Sequence, residues 1–378
     1  MPAPFCDHHI SSFFAAYQGD KIPLDLALAR YFKAHRSLGA HDRRTIGEAV
    51  YGIVRWKSLL EHLGPDEAPL QRLRRFQSLD LVAAQSDPSI PDSARLAVPE
   101  MLYERLTRDF SPAKARDLCR ISNTPAPPTV RANLLKTTRD ELIIRWAVHQ
   151  PVPCPQASTG IRFPKRLPLF SFPEFKEGLF EMQDEGSQIV SSLVAAKPGE
   201  TVLDFCSGSG GKSLAIAAGM KGRGQIYLHD VRPQALIEAK KRLRRAGVQN
   251  AQFLEPGHKQ LSRLKDKCDW VLIDVPCTGT GTLRRNPDQK WRLSEAMLQR
   301  LVLEQRDIAA RAVRYLKPEG RLVYATCSLL AEENQEQVAA LLAAHPLALE
   351  SPPLSLLPEE GGTDGFFAAV FKKMNPML

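Results

Sequence analysis

The sequence predicts an α/β protein, with a doubly wound sheet in its carboxy-terminal half preceded by a helical region and a small α/β connector. Three observations predict it. From about residue 181 short apolar runs alternate with helical runs, residues 20–63 carry apolar positions at helical spacing, and residues 121–180 are rich in proline with short extended pieces. The boundaries drawn from this texture are 1–120 for the helical domain, 121–180 for the connector and 181–378 for the sheet domain.

In the helical region IPLDLALARYF places Leu24, Leu28 and Tyr31 at helical spacing, and Ile46, Val50, Ile53 and Val54 repeat the pattern. Between them AHRSLGAHDRR reads as a basic connection. Helical patterning continues, more weakly, to about residue 120. The connector opens with NTPAPPTVRANLLK, proline-rich and then strand-like. Thr138-Arg-Asp-Glu141 is a capping box at the head of ELIIRWAV, and Pro151, Pro153, Pro155, Pro164, Pro168 and Pro173 rule out long helices beyond it. In the sheet domain TVLDFC, QIYLHD, AQFLE, WVLIDV and RLVYATC read as strands. RPQALIEAKKRLRRAG is helical, and the longest helix, about 293–316, puts Leu293, Met297, Leu301, Ile308, Ala312 and Leu316 on one face. Strands alternating with helices give a parallel, Rossmann-like sheet.

Bulk properties limit what such a protein does. The chain has 378 residues, 43% hydrophobic and 25% charged, and a net charge of +9, which favours a polyanionic partner. The excess is uneven: residues 231–267 hold ten Lys/Arg against three Asp/Glu, and residues 21–75 hold eleven against six. Seven cysteines, an odd number with no CxxC pair, fit neither a zinc site nor a disulfide framework, so no metal and a reducing, cytoplasmic setting are expected. The opening MPAPFCDHHI lacks the pattern of a secretory signal, and no run approaches the roughly 18 apolar residues of a membrane span.

Ligands of such sheets sit beyond the carboxyl ends of the strands. The first strand runs into DFCSGSGGKS, residues 204–213. A phosphate-binding P-loop needs glycine where Cys206 stands, and fails there. The other reading is the nucleoside-binding turn of a class I methyltransferase. Gly208, Gly210 and Gly211 let the backbone pass close beneath a ligand, Asp204 is positioned for its amino acid portion, and Asp230 ends the next strand where ribose hydroxyls would lie. Lys212 is either a helix-entry lysine covering the turn or a ligand or RNA contact. The expected cofactor set is Asp204, Cys206, Ser207, Gly208, Gly210, Gly211, Lys212, Asp230 and Asp274.

Cys277, in WVLIDVPCTGTGTLRRNPDQKW, and Cys327, in ATCSLLAEEN, both follow apolar strands of this sheet and are expected in one cleft, the first beside Asp274. A helix N-terminus, as after Cys327, favours the attacking thiolate. The residues alone do not say which sulfur attacks. LRRNPDQKWR adds Arg284, Arg285 and Lys290, suited to phosphate contacts, and Trp291, which either stacks on a base or anchors the loop.

These motifs resemble those of the RNA 5-methylcytosine methyltransferases, the family that includes the bacterial ribosomal RNA cytosine methyltransferases. The resemblance covers most of the chain. It rests on Asp274-Val-Pro-Cys277-Thr-Gly-Thr-Gly281 with Arg284 to Trp291, on Thr326-Cys327-Ser328 with Glu333-Asn334, on Gln183 to Ser187, and on Gly362 to Phe367. His41-Asp42-Arg43-Arg44 and Val50-Tyr51-Gly52 resemble the NusB-like RNA-binding domain of some members. The resemblance implies S-adenosylmethionine as cofactor, RNA as partner, Cys327 as nucleophile at carbon 6 of cytosine and Cys277 as the thiol that assists product release. An acid at ring nitrogen 3 stabilises the developing charge, the role expected of Asp274. Arg43, Arg44, Arg284, Arg285 and Lys290 are the expected RNA contacts.

Small-subunit ribosomal RNA is the expected substrate because of the helical domain, transfer RNA is the alternative, and a monomer is expected. A catalytically silent RNA-binding assembly factor would need neither thiol. Two departures from the family pattern stand out. The usual Ala-Ala-Pro-Gly-Gly-Lys turn is here Ser207-Gly-Ser-Gly-Gly-Lys212, and the third strand ends FLEPGHKQL without the usual Asp, leaving Glu255 or His258 as substitutes.

Overall fold

A computed structural model describes residues 4–17, 19 and 21–375, so Met1–Ala3 of the opening stretch lie outside the described residues. The chain divides into two units, Met1–Pro125 with Thr278–Leu298, and Ala126–Cys277 with Gln299–Leu378.

The first unit is helical. Its core forms where the predicted apolar stripes meet: Leu24 and Leu28 of the helix Leu24–Ala34, Ile46, Val50 and Ile53 of the helix Ala40–Arg55, and Leu59 and Leu60 of Lys57–Leu63 are buried together. The basic stretch read as a connection is helical from Ala40 onward. Asp42 reaches back to accept a hydrogen bond from the Gly39 amide at 2.9 Å, satisfying a free helix-end donor, so His41, Arg43 and Arg44 lie in the first turns. Helices continue to Glu100–Asp109 and Pro112–Ser122.

The second unit opens with a four-stranded antiparallel sheet of β1 (Thr129–Ala132), β2 (Val152–Pro153), β3 (Gly160–Arg162) and β4 (Phe180–Met182), in the order β2-β3-β1-β4. The helix Arg139–Arg145 packs on it. Its capping box is formed, with the Glu141 amide donating to Thr138 Oγ1 at 3.2 Å and the Thr138 amide to Glu141 Oε2 at 3.0 Å. Leu142 and Trp146 then close over Val130, Ile161 and Phe180.

The larger sheet contains β5 (Thr201–Asp204), β6 (Gln225–His229), β7 (Ala251–Leu254), β8 (Cys268–Asp274), β9 (Leu316–Thr326), β10 (Leu347–Leu349), β11 (Leu354–Leu356) and β12 (Phe366–Lys373). The order is β10-β12-β9-β8-β5-β6-β7, with β11 also pairing β12. The five strands from β7 to β9 are parallel, as expected. The sheet as a whole is mixed, because β12 runs antiparallel to β9 and pairs antiparallel with β10 and β11. Between β9 and β12 the chain passes through the helix Gln335–Ala344 and the short strands β10 and β11.

Both faces are covered. Along β8 side chains alternate: Val271 and Ile273 pack with Ile308 and Ala312 on one face, Trp270 and Leu272 with Leu214 and Leu236 on the other. The chain order reverses at β5, whose neighbours β6 and β8 carry crossovers in opposite directions, and a ligand crevice opens at the carboxyl ends there. Among the described residues no helix is long and apolar enough to cross a membrane, and no group of His, Cys, Asp or Glu is arranged to hold a metal ion.

Candidate active site

The crevice is a cavity of about 340 Å³ in the second unit, lined among others by Asp204, Cys206, Ser207, Gly208, Gly211, Lys212 and Asp274. Seven of the expected cofactor residues therefore share one wall. Gly210 is not at the surface of the cavity. It holds the turn behind it, at φ +78°, and a Cβ there would sit 2.9 Å from Leu243 Cδ1. Asp230 is also set back. Its carboxylate accepts from the Gly208 amide at 2.8 Å and from the Arg232 amide and guanidinium at 2.9–3.1 Å. Burial raises the Asp230 carboxyl, but these donors outweigh it and hold it below the usual range.

Asp204 ends β5 and is 1% exposed. Ser213, one turn into the helix Gly211–Gly219, donates to Asp204 Oδ2 at 2.6 Å, while Oδ1 is buried without a hydrogen-bond partner, as is Ser207 Oγ. Burial pushes the Asp204 carboxyl up to about 7, against the lowering effect of the Ser213 hydroxyl. A half-satisfied carboxyl and hydroxyl beside a glycine turn form a receptor for a small polar or cationic group. The thiol of Cys206 is raised by burial and by the neighbouring acids.

Sequence reasoning missed several lining residues: Met182 at the end of β4, Gln183, Asp184 and Ser187 after it, and Arg232 and Arg242. Gln183 to Ser187 was a motif without a place. Asp184 Oδ1 caps the helix Glu185–Ser192 at the Gly186 amide, 2.8 Å, and accepts from Thr363 Oγ1 at 3.2 Å, which ties the Gly362–Phe367 motif to the same wall. The missing proline of the turn is matched by Arg242, which donates to Ser209 O at 3.0 Å and Ser209 Oγ at 2.6 Å while also holding Glu181. Glu255 and His258 are both exposed and neither lines the cavity; His258 instead caps its own helix at the Gln260 amide.

Asp274 ends β8 on the face of Trp270 and Leu272, the face covered by the helix that Lys212 opens. The Lys212 ammonium donates to Asp274 Oδ2 at 2.5 Å. Burial disfavours that ammonium, but the Asp274 carboxylate outweighs it and raises Lys212 above an ordinary lysine. The open choice for Lys212 thus resolves into an ion pair across the crevice.

Three residues past Asp274, Cys277 Sγ lies 3.4 Å from Cys327 Sγ. Both loops are pinned from behind. Gln305 bridges Pro276 O and Glu333 Oε1, each at 2.9 Å, and Tyr324 donates to Glu333 O at 2.7 Å. Asn334 accepts from Thr326 Oγ1 at 2.6 Å and donates to Ser328 O at 2.9 Å, which sets the turn carrying Cys327. The contact with Cys327, and then burial, raise the Cys277 thiol well above its ordinary value.

The expected RNA contacts divide. Arg43 and Arg44 are exposed on the first unit, Arg43 with its Nε on Leu38 O at 2.9 Å. Arg285 is half-buried. Arg284 and Lys290, expected at phosphates, are instead 2% and 1% exposed. Arg284 donates to Pro125 O at 3.0 Å, and Lys290 to Arg55 O at 2.9 Å and Asn123 Oδ1 at 2.8 Å. These cations satisfy loop carbonyls inside the helical unit. Burial, and then Arg55, pull the Lys290 ammonium well below its ordinary value. Trp291 anchors the same loop, its indole donating to Val54 O at 2.6 Å.

A Rossmann-like sheet with a glycine turn after its central strand, and acids at the ends of the next strands, is the fold of the class I methyltransferases. The family model described as 16S rRNA methyltransferase RsmB/F matches residues 191–372. Ribosomal RNA small subunit methyltransferase B of Photorhabdus laumondii is 31% identical over 361 residues, covering 92% of this chain and 81% of that one. The protein of that name from Sodalis glossinidius is 33% identical over 312 residues, covering 79% and 70%. Among solved structures, a methyltransferase homolog protein from Pyrococcus horikoshii superposes with a TM-score of 0.67 at 27% identity, over 76% of this chain and 100% of that one. The chain belongs to the RsmB/F methyltransferase family.

Proposed function

We propose that the chain transfers a methyl group from S-adenosylmethionine to carbon 5 of a cytosine in small-subunit ribosomal RNA, through a covalent bond between Cys327 and carbon 6. The observation that carries this reading is the pair of sulfurs 3.4 Å apart at the ends of adjacent strands. Family membership and the substrate in the relatives' names support it.

The residues present fit the cofactor. The unpartnered Asp204 Oδ1 and Ser207 Oγ are matched to an ammonium or carboxylate of an amino acid, and Asp230 retains lone pairs for ribose hydroxyls. When bound, S-adenosylmethionine supplies an electrophilic methyl group. The protein's own residues do the rest. Carbon 5 of cytosine is a poor nucleophile until the Cys327 sulfur forms a bond to carbon 6 and its electron pair is passed through the ring. The charge that develops at ring nitrogen 3 is met by the Asp274–Lys212 ion pair. After carbon 5 is methylated, its proton passes to a water molecule, the electron pair of that C–H bond re-forms the carbon 5–carbon 6 double bond, and the sulfur–carbon 6 bond breaks so that Cys327 leaves as thiolate, a departure that Cys277 assists. Arg43 and Arg44 bind RNA phosphates, with Arg285 as a further contact. The helical unit, the connector sheet and the larger sheet serve as RNA-binding, bridging and catalytic domains.

The test uses two variants with the cofactor and 16S RNA. Cys327→Ala is expected to abolish methyl transfer with cofactor affinity unchanged. Cys277→Ala is expected to accumulate a protein–RNA adduct seen as a retarded band on a denaturing gel, because addition precedes the blocked release. An active Cys327→Ala enzyme overturns the nucleophile assignment. Methylated cytosines mapped only to transfer RNA, in cells with and without the protein, overturn the substrate.

A further inference from the structure

The helical unit contains a second cavity, about 430 Å³, which shares no lining residue with the crevice. Its walls include Phe14 from the helix Phe5–Ala16 and Tyr17 just after it, Trp291 from the buried loop, and Lys57, Glu67 and Arg72. The loop whose cations turned out to be structural thus still exposes one aromatic face to a cavity, and two other cations stand there.

The polar atoms of this cavity are poorly matched to one another. Tyr17 Oη, Glu67 Oε2 and Arg72 Nε are buried without a hydrogen-bond partner. Lys57 and Arg72 share a single carboxylate, Glu61, at 3.9 and 3.7 Å, beyond hydrogen-bond distance. Lys57 Nζ lies 5.6 Å from the centre of the Trp291 ring. Glu67 is engaged by Arg75 through Oε1 alone. Burial, and then Asp288, push the Tyr17 hydroxyl up to about 12, so it is a neutral donor there. Flat aromatic walls, two incompletely neutralised cations and one free carboxylate oxygen form a set that few ligands complement. An apolar peptide side chain would leave the three buried polar atoms orphaned. An unstacked nucleotide meets the aromatic walls with its ring, Glu67 Oε2 with an exocyclic amino group, and Lys57 and Arg72 with a phosphate.

We propose that this cavity binds one unpaired nucleotide of the RNA substrate, its base against Trp291 and Tyr17 and its phosphate on Lys57 and Arg72. The proposal rests on the reading that the protein acts on RNA, and it assigns the helical unit a contact with a single-stranded element of that RNA.

The test uses the full chain and a fluorescein-labelled single-stranded RNA hexamer, titrated by anisotropy. Lys57→Gln with Arg72→Gln is expected to weaken binding about tenfold and to flatten its salt dependence, as loss of phosphate contacts does. Tyr17→Phe, which keeps the ring, is expected to bind within about twofold of the unsubstituted chain. With 4-thiouridine in the oligomer, photo-adducts are expected on peptides carrying Tyr17 or Trp291. Thermal unfolding and S-adenosylmethionine affinity unchanged in the double variant show that the fold is intact. A double variant that binds RNA as the unsubstituted chain does, or adducts confined to residues 126–277 and 299–378, overturns the cavity assignment while leaving methyl transfer standing. If the unsubstituted chain neither binds the hexamer nor methylates RNA, the reading of its function fails and this proposal with it.

Discussion

Asp204 shows how burial at one residue couples cofactor binding to pH. Its carboxyl is raised from the ordinary carboxylate range to about 7 by removal from water. A group raised in this way binds its proton more tightly in the folded than in the unfolded chain. Its contribution to stability is fully present below about pH 4 and is lost as pH climbs through 7. A cationic ligand group reverses the preference, because it pairs with the carboxylate. S-adenosylmethionine affinity is therefore expected to rise between about pH 5.5 and 7.5, with a proton released on binding. Calorimetry in buffers of different ionisation enthalpy measures both. Asp204→Asn is expected to flatten the profile; a steep profile in that variant would assign the titration to another group.

At the scale of elements, the turn between β5 and the helix Gly211–Gly219 has to pass between a ligand and a packed helix. Gly210 sits at φ +78°, where a side chain is strained, and a Cβ would lie 2.9 Å from Leu243 Cδ1 and 3.2 Å from Ala239 Cβ. Gly210→Ala is expected to cost about 1–3 kcal/mol in chemical denaturation and to weaken cofactor binding. An unchanged midpoint would mean that the turn relaxes freely. The requirement for glycine here was legible in the sequence, because periodicity and a Gly-rich run fix where a strand must end and a helix begin. So were the thiol pair and Asp274, which follow strands whose parallel order brings their carboxyl ends to one edge.

What the sequence left open was how side chains pair across elements. The Lys212–Asp274 bond spans 62 positions. The Gln305–Glu333 clamp depends on a helix crossing behind two loops. Arg284 and Lys290 looked like a phosphate grip because charge patterning does not reveal burial; their acceptors are carbonyls at Pro125 and Arg55, far away in sequence. The basic stretch before Ile46 looked like a loop because Asp42, the residue that caps the helix there, is also a common loop residue. The antiparallel β12 escaped notice because FFAAVFKK carries no sign of its direction.

For the molecule as a whole, the +9 charge and its uneven distribution set how RNA is held rather than which base is read. With Arg284 and Lys290 committed to the interior, Arg43 and Arg44 are the members of the expected set that stay exposed on the helical unit. Each cation that neutralises a phosphate of a single strand releases counterions, so log affinity falls with log salt by about 0.7 per contact. Arg43→Gln with Arg44→Gln is therefore expected to reduce the magnitude of that slope by about 1.4, with weaker binding at low salt and little difference at high salt. Cofactor affinity is expected to stay as it was, since neither side chain lines the crevice. Filter binding of 16S RNA fragments across a salt series measures the slope. A parallel line shifted downward would mean that the substitutions disturb the helical unit rather than its charge, and a line unmoved would take these arginines off the RNA.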